Sequence, residues 1–241
     1  MSARAYRVGI IGLGRIASLL EDDPLRGKPA TLAGAFAAHP KARIVAGCDI
    51  NTERRGLFAR RWGVKKLYAD FHDMLARERL DIVAVASWTE THAEAVIAAA
   101  RAGARGIYCE KPIAINLAQA RRMIAACRRS GAAMVVGHER RWARPYRAIL
   151  GNHTAELYET RPSGRYSGFM ELARVPFPQW DGEANPYVGA VDGLIRAMET
   201  GEPPLSSGED GLMALETIMA MYRSAAKGGA PVRIAPASPR Y

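Results

Sequence analysis

The chain has 241 residues, of which 49% are apolar, 24% charged and 7% aromatic. This length can bury a core without disulfides, and no apolar run is long enough to span a bilayer, which excludes a membrane protein. The three cysteines, Cys48, Cys109 and Cys127, are widely spaced within apolar stretches. That spacing excludes a disulfide framework and a metal site of the C-x-x-C type, so we expect a cytoplasmic protein without a bound metal.

The formal charge of +10 comes mainly from arginine, with 28 Arg against 6 Lys. Such a charge can indicate a nucleic-acid or phosphorylated partner. Here the arginine pairs lie on the polar faces of predicted helices, and no basic block reaches about five or six like charges. We therefore interpret them as solvated surface cations and expect no nucleic-acid partner. The pairs are Arg54-Arg55, Arg60-Arg61, Arg121-Arg122 and Arg128-Arg129.

Predicted strands and helices alternate through the first part of the chain, which indicates a parallel sheet. The strands are near-continuous apolar runs, typical of a sheet covered on both faces. They are predicted over 6–12, 43–49, 67–68, 81–87, 105–109 and 133–137. Helices are predicted over 15–21, resuming at 31–38 after the prolines, and over 52–62, 71–79, 91–102 and 116–129.

The alternation stops after Pro145, and the polar, irregular stretch 151–162 suggests a boundary near residue 150. Beyond it we predict one or two strands over 166–175, then helices over 187–199 and 209–226. A short strand over 232–234 closes the chain. The second part is thus a smaller α+β segment covering residues 151–241.

A glycine-rich turn, Gly12-Leu13-Gly14-Arg15-Ile16-Ala17, directly follows the first strand and opens a predicted helix. In such a turn the first glycine allows a tight reversal, and the second lets the backbone approach a pyrophosphate. Ala17 stands where a third small residue permits close helix–sheet packing. Gly12, Gly14, Arg15 and Ile16 are therefore predicted to bind a dinucleotide, with the helix N-terminus facing its phosphates.

Asp49 ends the second predicted strand, where a carboxylate accepts hydrogen bonds from the adenosine ribose. It lies more than the usual distance of about twenty residues from the glycines, because the loop around Pro24 and Pro29 lengthens the first connection. A carboxylate repels a 2′-phosphate, so NAD is favoured over NADP. Arg54 and Arg55 could each reach a 2′-phosphate, and NADP is not excluded.

Four stretches of the sequence resemble the Gfo/Idh/MocA (glucose–fructose oxidoreductase/inositol dehydrogenase) family. They are the turn GLGRIA; Ala86–His92, which resembles a loop T-P-x-x-x-H; Cys109-Glu110-Lys111-Pro112, which resembles the E-K-P signature; and 201–226, which resembles the closing helices. The resemblance covers residues 6–149 and 166–234. It implies an α/β fold, a Rossmann doubly wound parallel sheet over residues 1–150, with a truncated α+β C-terminal domain over 151–241.

The resemblance also implies roles for residues near the strand ends. Lys111 would lie beside the nicotinamide and the substrate hydroxyl as a catalytic and substrate-binding residue, with Glu110 next to it at the cofactor. Ser87 and Trp88 would flank the cofactor, with simple packing as the alternative for Trp88. His92 would support their loop.

After the sixth predicted strand, Gly137–Trp142 resembles a family segment that faces the substrate. It implies a substrate contact for Arg141, and a substrate contact or proton transfer for His138, whose ordinary pKa suits that task. A histidine satisfied by local hydrogen bonds is the alternative for His138.

One family motif, D-x-G-x-H, which carries the acid/base histidine, is absent from the sequence. His153 falls in the shortened region without the motif's spacing, and Tyr158 and Tyr166 are alternative proton donors. We expect an NAD(P)-dependent oxidoreductase acting on a small sugar or polyol. The alternative is a dinucleotide-binding sensor or accessory subunit that has lost the acid/base group. A homodimer is also expected, in which a shortened protomer pairs through apolar surface.

Overall fold

The computed structural model of the chain describes residues 5–142, 157–162, 164, 170–175 and 185–234. Six strands form one parallel sheet in the order β3-β2-β1-β4-β5-β6. The order reverses between β1 and β4, which is the switch point of a doubly wound sheet. The strands are β1 (Tyr6–Ile11), β2 (Ala42–Cys48), β3 (Lys66–Tyr68), β4 (Ile82–Val85), β5 (Gly106–Cys109) and β6 (Ala133–Val136). The predicted Rossmann fold is confirmed.

In the described part of the chain, seven α-helices connect and cover the strands. Their starts follow from the sequence, because Thr31, Asn51, Asp70 and Asn116 each accept a backbone N–H of the first turn through the side chain. The helices are α1 (Leu32–Ala38), α2 (Thr52–Trp62), α3 (Phe71–Arg77), α4 (Thr89–Arg101), α5 (Leu117–Ser130), α6 (Pro186–Thr200) and α7 (Gly208–Ala225).

The sheet has a hydrophobic core on each face, as its apolar strands predict. One core joins the sheet to α3, α4, α5 and α7, and the other joins it to α1, α2 and α6. The three cysteines are buried and unpaired, and burial raises the pKa of Cys48 and of Cys127 to about 12, so they pack as apolar side chains. Within the described ranges, no helix is both long and apolar enough to cross a membrane.

The prediction of a helix over 15–21 is wrong, because these residues do not form an α-helix. Residues 14–18 make a turn, Leu19–Asp22 is a 3-10 helix, and α1 begins only at Leu32. Leu32 N–H donates to Ile16 O at 3.1 Å, and Ala33 N–H donates to Ala17 O at 2.9 Å. In an uninterrupted α-helix, the N–H groups of residues 20 and 21 would donate to these two carbonyls. Residues 20–31 are thus an insertion into one helix, and α1 continues the turn in register.

The end of α2 holds this insertion in place. Trp62 Nε1 donates to Ser18 Oγ at 2.9 Å, and Arg61 Nη1 donates to Ser18 O at 2.7 Å. Asn185, the N-cap of α6, donates through its side-chain amide to Pro29 O at 2.7 Å. Residues distant in sequence therefore fix the chain just before the insertion, at Ser18, and within it, at Pro29, which local patterns do not reveal.

The later segment contains two further corrections. Leu157–Pro162, predicted as irregular, forms β7 and pairs antiparallel with β8 (Met170–Val175). Each strand supplies the other's hydrogen-bond partners, so pairing rather than apolar content defines them. The strand predicted over 232–234 is absent, since the described part of the chain offers those residues no partner strand. The domain division at residue 150 stays a prediction, although α6 and α7, which follow it, pack on the parallel sheet.

Candidate functional site

The residues predicted from sequence follow successive strands of the sheet. Gly12 comes after β1, Asp49 after β2, Ser87 after β4, Lys111 after β5 and His138 after β6. Since all six strands are parallel, these residues lie along the carboxyl edge, where open α/β sheets bind ligands.

Gly12 is the point where three strand-end loops meet. Its φ is +84°, and its N–H donates to Cys48 O at 2.7 Å. A Cβ at Gly12 would lie 2.5 Å from Ser87 N and 2.6 Å from Ala86 C, both backbone atoms. Only glycine fits this position, because a side chain would need both a strained φ and a shift of the β4 loop.

The turn after Gly12 presents an open backbone surface. A Cβ at Gly14 would have one described heavy atom within 4 Å, Arg54 Nη1 at 3.9 Å. The N–H groups of Gly14, Arg15 and Ile16 have no acceptor among the described residues. Ala17 is fully buried beneath the turn. Consecutive unpaired N–H groups and an open glycine are what a pyrophosphate requires, so this turn fits a dinucleotide.

Asp49 has a structural task that the sequence did not reveal. Its side chain is 94% buried; Oδ2 accepts Leu13 N–H at 2.8 Å, and Oδ1 accepts Asn51 N–H at 2.8 Å. The carboxylate thus fixes the glycine turn relative to the loop after β2. Each carboxylate oxygen has a second lone pair, so both can still accept a ribose hydroxyl.

The loop after β4 is held from below by His92. Its Nε2 lies 3.0 Å from Ser87 O and its Nδ1 lies 3.1 Å from Pro112 O, so the ring packs between the loops after β4 and β5, and in its neutral form it donates to one of the two carbonyls. Burial lowers the pKa of His92 below its ordinary 6.5, against the opposing effect of these carbonyls. Above this ring, Ser87 Oγ is 2.7 Å from Thr91 Oγ1, and Trp88 is 78% exposed.

Lys111 has a fixed backbone and an exposed side chain. Its N–H donates to Glu110 Oε2 at 3.1 Å, and its peptide bond to Pro112 is cis. Glu110 is buried and accepts the Tyr108 hydroxyl at 3.1 Å. A Cβ at Gly137 would lie 2.6 Å from that hydroxyl oxygen and 3.0 Å from Glu110 Oε2. The structure therefore gives Glu110 a place beneath the Lys111 backbone, a role that sequence reasoning missed.

His138 and Arg141 are engaged by the segment that leads into α7. His138 Nδ1 is 3.0 Å from Ser206 Oγ. Arg141 Nη1 donates to Leu205 O at 2.8 Å and lies 3.1 Å from Asp210 Oδ1. Burial raises the pKa of Asp210, but hydrogen bonds from Ser207 and Arg141 prevail and hold it below its ordinary value. The described contacts thus connect these two predicted substrate residues to α7.

The side chains of the other candidates for proton transfer are not among those that the structure describes. His153 and Tyr166 fall outside the described residues, and of Tyr158 only the strand position is described. Within the described ranges, no three or more His, Cys, Asp or Glu side chains are grouped closely enough to hold a metal ion.

Comparisons with known proteins agree with this fold. A model of the Gfo/Idh/MocA oxidoreductase family, described as having an NAD-binding Rossmann fold, matches residues 6–138. The D-apiose dehydrogenase of Paraburkholderia graminis is 41% identical over 108 residues, covering 45% of this chain and 28% of that protein. The myo-inositol 2-dehydrogenase of Thermotoga maritima is 32% identical over 143 residues, covering 59% of this chain and 39% of that protein.

The match spans well under half the length of these two curated relatives. A probable dehydrogenase of T. maritima, solved by crystallography, has a similar fold with a TM-score of 0.68 at 19% identity. That similarity covers 92% of this chain and 97% of that one. The family match includes the glycine turn, Asp49 and Lys111, and it covers more than half of the chain. This chain is therefore a member of the Gfo/Idh/MocA oxidoreductase family.

Proposed function

We propose that this chain binds NAD and catalyses the reversible oxidation of a carbinol to a carbonyl in a small sugar or polyol. The observation that carries the proposal is the open glycine turn, fixed by Asp49 at the switch point of the sheet. The substrate class is supported by the names of the relatives, which denote dehydrogenases of D-apiose and of inositol.

Different residues bind different parts of the dinucleotide in this proposal. The N–H groups of Gly14, Arg15 and Ile16 bind the pyrophosphate, and Asp49 accepts the adenosine ribose hydroxyls. Ser87 and Trp88 flank the nicotinamide end, on a loop that His92 supports, and Glu110 acts through the Lys111 backbone. When bound, NAD supplies a hydride acceptor.

Lys111 acts on the reacting oxygen in this proposal. Its ammonium group donates a hydrogen bond to the substrate hydroxyl and stabilises the negative charge that develops there as the hydride leaves carbon. The hydroxyl proton passes to a nearby base, for which His138 and His153 are the candidates. Arg141 is proposed to orient the substrate.

Lys111→Met tests the proposal. In wild type we expect calorimetry to detect NAD binding, and a panel of sugars and polyols to identify a substrate by the absorbance of NADH. In the variant we expect kcat to fall by about 100-fold or more, because the lost group acts on charge in the transition state. The Kd for NAD stays within about twofold.

Lys65→Met is the matched control, since Lys65 is an exposed lysine directly before β3, at the amino edge of the sheet, and lies in no proposed site. We expect it to retain wild-type turnover. Turnover that survives Lys111→Met unchanged contradicts the catalytic role. Failure of wild type to bind any dinucleotide contradicts the whole proposal.

A second candidate function is a dinucleotide-binding sensor or accessory subunit. The contacts of His138 with Ser206, and of Arg141 with Leu205 and Asp210, favour it, because they tie predicted substrate residues to α7. The absent D-x-G-x-H motif points the same way. NAD binding without turnover on the whole panel, unchanged in Lys111→Met, favours this candidate. Turnover that is lost in His138→Asn or His153→Asn favours the enzyme.

A further inference from the structure

Two neighbouring arginines stand beside the carboxylate proposed to bind the ribose, and the structure gives them different tasks. We propose that Arg54, and not Arg55, binds the 2′-phosphate of NADP. The protein accordingly accepts NADP in addition to NAD, with NAD bound more tightly. This inference rests on the proposed dinucleotide binding and adds to it the residue that discriminates between the two cofactors.

Arg55 is committed to the protein itself. Its Nη1 donates to Asp49 O at 2.6 Å and to Ile50 O at 3.1 Å, and its Nη2 donates to Thr52 Oγ1 at 2.9 Å. These bonds fold the guanidinium back onto the loop between β2 and α2. To reach a phosphate, Arg55 would have to give up acceptors that hold this loop, so it is a poor phosphate ligand.

Arg54 is placed differently. Its backbone N–H is bonded to Asn51 Oδ1 at 2.9 Å, which fixes the residue in the first turn of α2. Its side chain is 41% exposed, and Nη1 lies 3.7 Å from Asp49 Oδ2, too long for a hydrogen bond. The same nitrogen lies 3.9 Å from the Cβ position of Gly14. The guanidinium therefore stands between the ribose carboxylate and the glycine turn with donors available.

The charges at this point decide between the two cofactors. Asp49 alone repels a 2′-phosphate, and two backbone N–H groups keep its carboxylate from turning away. The Arg54 guanidinium offers a cation with several donors in a planar fork, suited to phosphate oxygens. With NAD it remains beside Asp49, whereas with NADP it moves to the phosphate. The carboxylate still opposes the phosphate, which makes NADP the weaker ligand.

Calorimetry of the full chain with NAD and with NADP tests the assignment. For Arg54→Ala we expect NADP affinity to fall by about tenfold or more, because a charge-assisted hydrogen bond is lost, and NAD affinity to change by less than about twofold. Arg60→Ala removes the same charge from the exposed last turn of the same helix. Arg60→Ala should change neither the NADP affinity nor the NAD affinity by more than about twofold.

Phosphorus NMR of bound NADP gives a second readout. A free 2′-phosphate loses its second proton with a pKa of about 6. A guanidinium beside it favours the dianion and lowers that pKa, so the bound phosphate should titrate at lower pH in wild type than in Arg54→Ala. Arg54→Lys should restore part of the shift, since it keeps the charge and loses the fork.

Four outcomes overturn the inference. In the first, wild type binds NAD but no NADP. In the second and third, Arg54→Ala lowers the affinities for both cofactors equally or changes neither affinity. In the fourth, only Arg55→Ala loses NADP affinity selectively. In each of these NAD binding by wild type leaves the proposed function standing. If wild type binds neither cofactor, the proposed function and this inference both fail.

Discussion

The carboxyl edge of the sheet has two halves that are built differently. The glycine-turn half consists of the loops after β1, β2 and β4, and the lysine half consists of the loops after β5 and β6. In the glycine-turn half, backbone groups and Asp49 hold one another, and three N–H groups have no acceptor within the described ranges. In the lysine half, His138 and Arg141 contact the entry to α7, and Lys111 extends from a fixed backbone.

The difference separates binding from chemistry. A turn of backbone N–H groups serves a dinucleotide irrespective of what the rest of the protein does. A reacting centre needs several side chains presented to one substrate atom, and in the described part of the lysine half the exposed Lys111 is the side chain that we propose for this task. Variants in each half therefore have different expected effects, and their sizes test whether the two halves are independent.

The largest expected effect is that of Gly12→Ala in the glycine-turn half. The new Cβ meets the Ala86–Ser87 backbone at a φ of +84°, so we expect the free energy of unfolding to fall by about 3 kcal/mol or more. Gly63→Ala separates the two causes, because Gly63 has a φ of +66° but open space around it. It should cost about 1 kcal/mol. Urea denaturation measures both, and equal losses contradict a collision at Gly12.

Asp49→Ala has the second largest expected effect on the free energy of unfolding. It removes the acceptor of the Leu13 and Asn51 N–H groups beneath the turn, and we expect a loss of about 2 kcal/mol with a weaker affinity for NAD. Asp70→Ala is the comparison, since Asp70 accepts the His72 N–H at an exposed helix start. That change should cost about 1 kcal/mol and leave NAD affinity unchanged. A stable Asp49→Ala protein with full NAD affinity disproves the linkage.

Arg141→Ala probes the lysine half. We expect the free energy of unfolding to fall by about 1 kcal/mol, since the Leu205 carbonyl and the Asp210 carboxylate lose a partly exposed donor. NAD affinity should not change if the halves are independent. Arg129→Ala, at the exposed end of α5, removes the same charge and should be neutral within about 0.5 kcal/mol. Reduced NAD affinity in Arg141→Ala alone means that the halves are coupled.

The smallest expected effect concerns His92, which joins the two halves. Because burial lowers its folded pKa, the unfolded chain takes up a proton first as the pH falls. The His92 contribution is therefore complete above pH 6.5 and is lost as the pH falls toward the lowered folded pKa. Urea curves between pH 5 and 7.5 should show a shallower pH dependence in His92→Gln than in wild type. A slope in His92→Gln equal to that of wild type contradicts this contribution.

The sequence predicts the parallel sheet and the glycine-turn half well because both depend on local patterns. The helix predicted over 52–62 has those bounds in the structure, since a capping Asn51 and a terminal Gly63 mark its ends. The turn around Gly12 is likewise a short motif following a strand. Asp49 ends β2, and a strand end is recognisable without knowledge of the partners that the carboxylate later acquires.

The remaining features depend on residues brought together by packing. Arg141 meets Asp210 only because α7 lies against β6 and α5. Trp142 packs against α6 at Gly189 and Gly193, where a Cβ would lie 2.9 Å and 3.1 Å from its atoms. No local pattern specifies which helix a tryptophan meets, so neither contact was predicted.

The insertion at residues 20–31 has a consequence for how the chain can change. Since Leu32 and Ala33 continue the hydrogen bonds of Ile16 and Ala17, the helix keeps its register across the break. Leu25, within the inserted segment, is 94% exposed. Homologues can thus differ in length here while the glycine turn stays in place, and a reporter peptide can be grafted at this point for the same reason.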